Sequence, residues 1–119
     1  MKIAFVYSEN NIEYNQFIQK IVEVLERKTN ENIEYNQIIS KVTRKKYDLY
    51  IVISNDIEDF EFNLSKIKDK PLLITRNLRS AFIEKVIGCV KDIVYLDGKI
   101  DVISNRIIDI ANKAKCLNQ

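Results

Sequence analysis

The sequence predicts an α/β fold in which five parallel strands form one sheet between two layers of helices. Two observations predict this three-layer α/β/α class. Along the 119 residues, short apolar runs alternate with stretches whose apolar residues recur at helical spacing. The runs are apolar throughout, which is typical of parallel strands that helices cover on both faces. From its length, we interpret the chain as one domain spanning residues 1–119.

The five predicted strands are short apolar segments between polar residues. In chain order they are Lys2–Ser8, the segment around Ile33 and Tyr35, Asp48–Ser54, Pro71–Thr75 and Asp92–Leu96. The third has the strongest pattern, because its sequence DLYIVIS is β-branched and apolar on both faces. The fourth begins with proline, whose missing N–H is tolerated at the first residue of a strand. The second depends on the alternation of apolar and polar residues.

Five helices are predicted between and after the strands, from apolar residues three or four positions apart. The first spans Asn11–Lys28, and the others contain, in order, Ile38, Ile39, Val42 and Lys46; Ile57, Phe60, Leu64 and Ile67; Leu78, Phe82, Val86 and Cys89; and Ile103, Ile107, Ile110 and Ala114. We expect Asn10 or Asn11 to cap the first helix and Asn77 the fourth, since asparagine side chains accept from free N–H groups there. Cys89 lies on the apolar face of the fourth predicted helix, so we expect its thiol to be buried and to react slowly. Cys116 lies near a polar terminus and is expected to react quickly.

The hexapeptide NIEYNQ occurs twice, at Asn11–Gln16 and at Asn32–Gln37. The two copies are closer together than the roughly 30 residues of a βαβ unit. No third copy follows, so the sequence does not predict a solenoid of stacked repeats. We therefore expect the first copy in the opening of a helix, and the second in a strand and the turn that follows it.

Composition excludes several classes of site. The net charge of +2 gives no general argument for nucleic acid or membrane. The chain has no histidine and only two glycines, so it lacks an imidazole base and the glycine-rich loops that cradle phosphates. No apolar run approaches the length of a membrane span, and no signal peptide is recognisable, which predicts a cytoplasmic protein. We expect no cofactor.

The carboxyl ends of the strands are the candidate functional surface, because ligands of open parallel sheets bind there. The polar residues that follow the strands are Ser8, Glu9, Asn55, Asp56, Thr75, Arg76, Asn77, Arg79, Asp97 and Lys99. Arg76 and Arg79 lie at the start of the fourth predicted helix, whose N-terminus already carries a partial positive charge. The sequence therefore predicts either an anion site formed by Thr75, Arg76, Asn77 and Arg79, with Lys99 nearby, or pairing of the arginines with Asp56 or Asp97.

Two further charged clusters are interpreted as ordinary helix ends. Asp56, Glu58, Asp59 and Glu61 are expected to cap the third helix and complement its dipole, with a divalent cation site as the alternative. The basic residues Lys41, Arg44, Lys45 and Lys46 are expected to be a solvated end of the second helix. Nucleic acid or an acidic partner is the alternative for this basic patch.

Three stretches resemble the receiver domain of bacterial response regulators. VISND resembles the strand that ends in the phospho-accepting aspartate, PLLIT the strand that ends in a switch Thr or Ser, and KDIVYL the last strand. The resemblance covers nearly the whole chain in the order of its elements. It implies a flavodoxin-like sheet with the strand order 2-1-3-4-5.

The sequence departs from the receiver pattern at the residues that carry its chemistry. Receivers have an acidic pair after the first strand, where this chain has only Glu9. Asn55 stands where the third strand leads into the acceptor, with Asp56 one place later. The strand-five lysine of receivers falls at Leu96, and Lys99 comes three residues later. Phosphoryl transfer requires metal, acceptor and cation together, so the sequence predicts a pseudo-receiver.

The predicted function is a non-catalytic regulatory or protein-interaction module that is not phosphorylated by the receiver route. It requires no catalytic residue and no metal. Its expected partner is another protein or a second copy of the chain, bound through the later helices. The alternative is a small enzyme or sensor that binds a ligand bearing phosphate or carboxylate at the strand ends.

Overall fold

The structure, a computed structural model, describes residues 1–8, 12–38 and 46–117. In chain order the elements are β1 (Lys2–Val6), α1 (Ile12–Thr29), β2 (Glu34–Ile38), β3 (Leu49–Ile53), α2 (Ile57–Leu64), β4 (Leu72–Thr75), α3 (Ser80–Val86), a 3₁₀ turn (Ile87–Cys89), β5 (Asp92–Tyr95) and α4 (Ile100–Leu117). No helix in these three ranges is long and apolar enough to cross a lipid bilayer.

The five strands form one parallel sheet in the order β2-β1-β3-β4-β5, which confirms the predicted fold class and strand order. The chain leaves β1 towards β2 at one edge and then returns to β3 on the other side of β1. The carboxyl ends of β1 and β3 therefore form the topological switch point, where open α/β sheets bind ligands.

Two hydrophobic layers cover the two faces of the sheet. Ile3 and Phe5 of β1 pack into the layer that contains α1 and α4, whereas Ala4 and Val6 point to the layer of α2 and α3. Every residue of β3 is buried, so this strand is apolar on both faces, as its sequence predicts. A fully buried aliphatic side chain of this kind contributes about 1.5–3 kcal/mol relative to an exposed one.

The second strand runs further along the chain than the sequence predicts. It spans Glu34–Ile38 and pairs with β1 residue by residue, from Lys2 opposite Glu34 to Val6 opposite Ile38. The assignment of Ile38 to a helix was wrong, because pairing with β1 extends the strand to this residue. Lys46 is not helical, and residues 39–45 of that predicted helix lie outside the described part of the chain.

The fourth predicted helix is shorter than its apolar pattern indicates. Phe82 and Val86 are buried, but α3 begins only at Ser80 with Arg79 in the N-cap position, so Asn77 is not its cap. Leu78 precedes the helix and is 65% exposed. Cys89 lies in the 3₁₀ turn after α3 and is exposed, so the prediction of a buried thiol was wrong. Leu78 and Cys89 lie outside α3, at either end of the predicted apolar pattern. Only the middle of that pattern, with Phe82 and Val86, is α-helical and buried.

The other helices follow their patterns, except that α2 ends at Leu64, so the assignment of Ile67 to this helix was wrong. Asp56 is the N-cap of α2, and its side chain accepts from the N–H of Asp59 at 2.9 Å, which confirms its capping role. In α4, Ile103 and Ile107 are fully buried. Ile12–Gln16 of the first hexapeptide lies in α1, whereas Glu34–Gln37 of the second lies in β2, as expected.

Candidate functional site

Asn55 is the centre of a hydrogen-bonded cluster at the carboxyl ends of β3 and β4. Its side-chain oxygen accepts from the N–H of Arg76 at 2.7 Å and from the hydroxyl of Thr75 at 3.3 Å. Its backbone carbonyl accepts from the side-chain nitrogen of Asn77 at 2.8 Å. The structure thus brings together four of the candidate residues that the sequence predicts. Their polar atoms form hydrogen bonds with one another.

The side chain of Tyr14, in the first turn of α1, completes this cluster. The amide nitrogen of Asn55 donates to the hydroxyl of Tyr14 at 3.1 Å. Burial raises the pKa of the Tyr14 phenol, and the bond from Asn55 and the charge of Arg76 lower it in part. The Tyr14 ring packs edge-on against Tyr7, with 6.0 Å between ring centroids. In the sequence, helical spacing marks Tyr14 only as an apolar position of the first helix. The sequence therefore gives no sign that Tyr14 contacts Asn55.

The loop between β4 and α3 uses its N–H groups internally. The N–H of Asn77 donates to the hydroxyl of Thr75 at 3.1 Å, and the N–H of Arg79 donates to the side-chain oxygen of Asn77 at 3.0 Å. With the bond from Arg76 to Asn55, three of the N–H groups expected for an anion site have partners within the protein. This loop is therefore ordered by its own side chains.

The arginine next to this loop has an acidic neighbour. The Nε of Arg76 lies 3.8 Å from a carboxylate oxygen of Asp97, and both side chains are more than half exposed. This is one of the two outcomes that the sequence left open, although an exposed pair of this kind contributes little to stability. Lys99 is exposed just before α4, where its carbonyl accepts from the N–H of Ile103. Among the described residues, the Lys99 side chain forms no salt bridge.

A second polar cluster lies at the switch point between β1 and β3. The carboxylate of Asp59 accepts from the hydroxyls of Ser8 and Ser54, which follow these two strands. The side-chain nitrogen of Asn63, one turn further along α2, donates to Asp59 at 3.3 Å and to Ser54 at 3.1 Å. The Asp59 carboxylate thus joins α2 to the ends of both strands, beyond the helix-dipole role that the sequence predicts.

The cluster includes a lysine that is almost completely buried. Lys66 is 3% exposed, and its ammonium donates to the side-chain oxygen of Asn63 at 2.8 Å and to the carbonyl of Tyr7 at 3.3 Å. Burial lowers the pKa of Lys66, and the nearby charge of Asp59 opposes that effect. Sequence reasoning missed Asn63 and Lys66. Asn63 lies four positions after Asp59 on the same face of α2, a spacing that the sequence shows, whereas Lys66 lies in the turn after the helix.

Several predicted residues lie outside the part of the chain that the structure describes. They are Glu9, the predicted caps Asn10 and Asn11, Lys41, Arg44 and Lys45, together with the side chain of Cys116. Lys46 is described and is exposed. Within the described residues, no group of three or more His, Cys, Asp or Glu side chains could hold a metal ion.

Three solved structures share this fold at low sequence identity. A pilus assembly-related protein of Burkholderia pseudomallei has a TM-score of 0.63 and 8% identity, covering 94% of this chain and 90% of its own. The CpaE2 pilus assembly protein of Sinorhizobium meliloti has a TM-score of 0.60 and 12% identity, with coverages of 92% and 99%. The receiver domain of a Francisella response regulator has a TM-score of 0.55 and 13% identity, with coverages of 94% and 97%.

These similarities show that the fold is receiver-like, which confirms the resemblance seen in the sequence. At such identities the likeness is one of fold alone. No protein-family model matches the chain, and no curated protein sequence matches it.

Proposed function

We propose that this protein is a receiver-like regulatory module that acts through contacts with other proteins and does not accept phosphate at the end of β3. The receiver-like fold supports the regulatory part of this proposal. The resemblance of VISND to the acceptor strand assigns Asn55 to the position where a receiver has its phospho-accepting aspartate.

The environment of Asn55 is the observation that carries the proposal. A carboxamide has no anionic oxygen to attack phosphorus, so Asn55 cannot form an acyl phosphate. Its amide oxygen and nitrogen are also both in use, with Arg76 and with Tyr14. The next residue, Asp56, caps α2 with its carboxylate. Neither residue is therefore arranged as a phosphoryl acceptor.

An exposed apolar surface at the β5 edge of the sheet supports the protein-contact part of the proposal. A groove of about 400 Å³ lies between α3, the 3₁₀ turn and β5. The residues that line this β5-edge surface are the apolar Ile83, Ile87, Val90, Ile93 and Tyr95 and, among them, the charged Lys91 and Asp92. Ile87 is 61% exposed and Tyr95 is 43% exposed. An outer strand with unpaired backbone groups beside exposed apolar side chains is suited to contact another protein or a second copy of the chain.

Treatment with a small phosphodonor and magnesium tests the phosphate part. We expect the intact mass of the wild-type chain to stay unchanged, while a response-regulator receiver treated in parallel gains one phosphoryl group. An acid-labile adduct of that mass would contradict the proposal. Asp56→Asn, which keeps a side-chain oxygen for the helix cap, would then show whether Asp56 carries the adduct.

Sedimentation velocity over a range of concentrations tests the protein-contact part. We expect Ile87→Asp to weaken self-association, or the binding of an identified partner, at least tenfold, because it places a charge in the groove. Val102→Asp is the matched control, since Val102 is 54% exposed on α4 and does not line the groove. Equal effects of the two variants would exclude the β5-edge surface.

A small enzyme or sensor for an anionic ligand is the second candidate. The exposed guanidinium of Arg76 favours it, because Asp97 reaches it only at 3.8 Å. If an anion binds, sulfate raises the melting temperature more than chloride at matched ionic strength. Arg76→Ala with Arg79→Ala removes that excess, whereas Lys20→Ala, at an exposed position of α1, keeps it. An identical response in wild type and double variant would remove this candidate.

A further inference from the structure

The polar cluster at the switch point between β1 and β3 is rich in oxygen atoms. They belong to the carbonyl of Tyr7, the hydroxyls of Ser8 and Ser54, the carboxylate of Asp59 and the side-chain amide of Asn63. Carboxylate, carboxamide and backbone carbonyl oxygens are the ligands that Mg²⁺ and Ca²⁺ prefer in proteins. This set of atoms is therefore suited to hold a positive charge.

The positive charge at this place is the ammonium of Lys66. It donates to the side-chain oxygen of Asn63 at 2.8 Å and to the carbonyl of Tyr7 at 3.3 Å. The amide of Asn63 joins the ammonium to the acidic side of the cluster, because its nitrogen donates to Asp59 at 3.3 Å. The negative charge of Asp59 in turn favours the charged form of Lys66. Among the described residues, the cluster thus combines one carboxylate with one ammonium.

The ammonium is held in place by the turn after α2 and by an aromatic ring. The N–H of Lys66 donates to the backbone carbonyl of Asn63 at 3.1 Å, which fixes the start of the side chain. The Phe62 ring lies over the ammonium, 4.6 Å from Nζ to the ring centroid, and an aromatic face attracts a cation. Lys66 is 3% exposed and Phe62 is 57% exposed, so the ring lies on the solvent side of the charge.

A divalent metal ion does not fit this cluster while the ammonium is present. The two positive charges would share one set of oxygens, and like charges repel strongly at short distance in a buried place. Asp59 supplies the one carboxylate among these oxygens, and the described part of the chain has no group of three or more metal-ligating acids, histidines or cysteines. A metal ion would therefore have to displace both the ammonium and the Phe62 ring.

We propose that Lys66 is the resident cation of the switch point, where its ammonium replaces a divalent metal and joins α2 to the end of β1. The chain's own side chain then fills the place in which an open α/β sheet binds an external ligand. The conformation of this edge is consequently independent of Mg²⁺ and Ca²⁺. This inference rests on the proposed function only in regarding the switch point as a place without phosphoryl transfer.

Lys66→Ala tests this proposal, because it removes the ammonium and leaves the oxygens. Thermal melts in calcium chloride or propylammonium chloride are compared with melts in sodium chloride at matched ionic strength. We expect Ca²⁺ to bind Lys66→Ala with a dissociation constant on the order of 1 mM, the weak end for oxygen sites. About 10 mM Ca²⁺ should then raise its melting temperature by about 5 °C. Propylammonium, which resembles the missing side chain, should also raise it, and wild type should respond to neither cation.

Lys68→Ala is the matched control, because Lys68 lies two positions later and is exposed. A response of Lys66→Ala that Lys68→Ala lacks, and that adding Asp59→Asn to Lys66→Ala weakens, supports the proposal. If Lys66→Ala responds to neither cation, or if wild type responds equally, the proposal is overturned. Should Lys66→Ala be unfolded in sodium chloride, recovery of its circular dichroism with either cation is the supporting result, and no recovery overturns the proposal.

The phosphodonor test on the wild-type chain is independent of these melts. A phosphoryl adduct there would overturn the proposed function, whereas the cation response of Lys66→Ala reports only on what occupies the switch point. The failure of one proposal is therefore distinguishable from the failure of the other.

Discussion

The buried cluster around Asp59 permits a quantitative prediction for Asp59→Ala. The substitution removes the acceptor of the Ser8 and Ser54 hydroxyls and of the Asn63 side-chain nitrogen. It also removes the nearby negative charge that favours the charged form of Lys66, which is 3% exposed. Alanine has no polar side-chain atom to accept from these donors, whereas Lys66 keeps its bonds to Asn63 and Tyr7.

The size of the effect follows from that burial. A buried donor that loses its acceptor typically costs about 1–3 kcal/mol, because its hydrogen bond is lost and water does not replace the partner. Asp59 is only partly buried, and the Asn63 side-chain nitrogen keeps its bond to Ser54, so we expect a loss of about 2 kcal/mol. A domain of this kind has a net stability of about 5–15 kcal/mol, so the variant should still fold but with a large shift in denaturation midpoint.

Urea denaturation followed by circular dichroism measures the effect. Glu58→Ala is the matched control, because Glu58 is also acidic and in the first turn of α2 but is exposed. We expect its change in the free energy of unfolding to stay within about 0.5 kcal/mol. The double variant Asp59→Ala, Lys66→Met should lose less than the sum of the two single variants, since no buried charge remains. A loss below about 1 kcal/mol for Asp59→Ala would refute the energetic role of the cluster.

Two further predictions concern alkaline pH and thiol reactivity. Burial raises the pKa of Tyr7, Tyr14 and Tyr50 above the ordinary 10.0, so the folded state favours the protonated phenols. Their contribution to stability is therefore present below pH 10.0 and is lost as pH rises through the folded pKa values. Thermal melts should therefore show wild type losing more stability than Tyr7→Phe above pH 10.0, and equal losses would contradict this. Cys89 is exposed, so in a Cys116→Ser variant it should react with a thiol reagent as fast in native buffer as in urea; labelling only after unfolding would contradict the structure.

Properties that depend on neighbouring residues in the chain were predictable from the sequence. Strands buried on both faces require apolar residues at every position, so β3 is recognisable as DLYIVIS without knowledge of its neighbours. The capping bond of Asp56 spans three residues and is local for the same reason. Alternation of such segments is sufficient to predict a parallel sheet with covering helices.

Element ends and the contacts between strand ends were decided by the tertiary structure. Ile12–Gln16 of the first NIEYNQ hexapeptide is helical in α1, whereas Glu34–Gln37 of the second forms a strand in β2, where it pairs with β1. Tyr14 and Asn55 are 41 positions apart, and Tyr7 and Lys66 are 59 apart. No local pattern reports which of these side chains meet, because their contact depends on the order of the strands and the placement of α1 and α2. The sequence by itself therefore determined the fold and the edge where function is expected, whereas only the folded sheet decided which polar atoms at that edge bind one another.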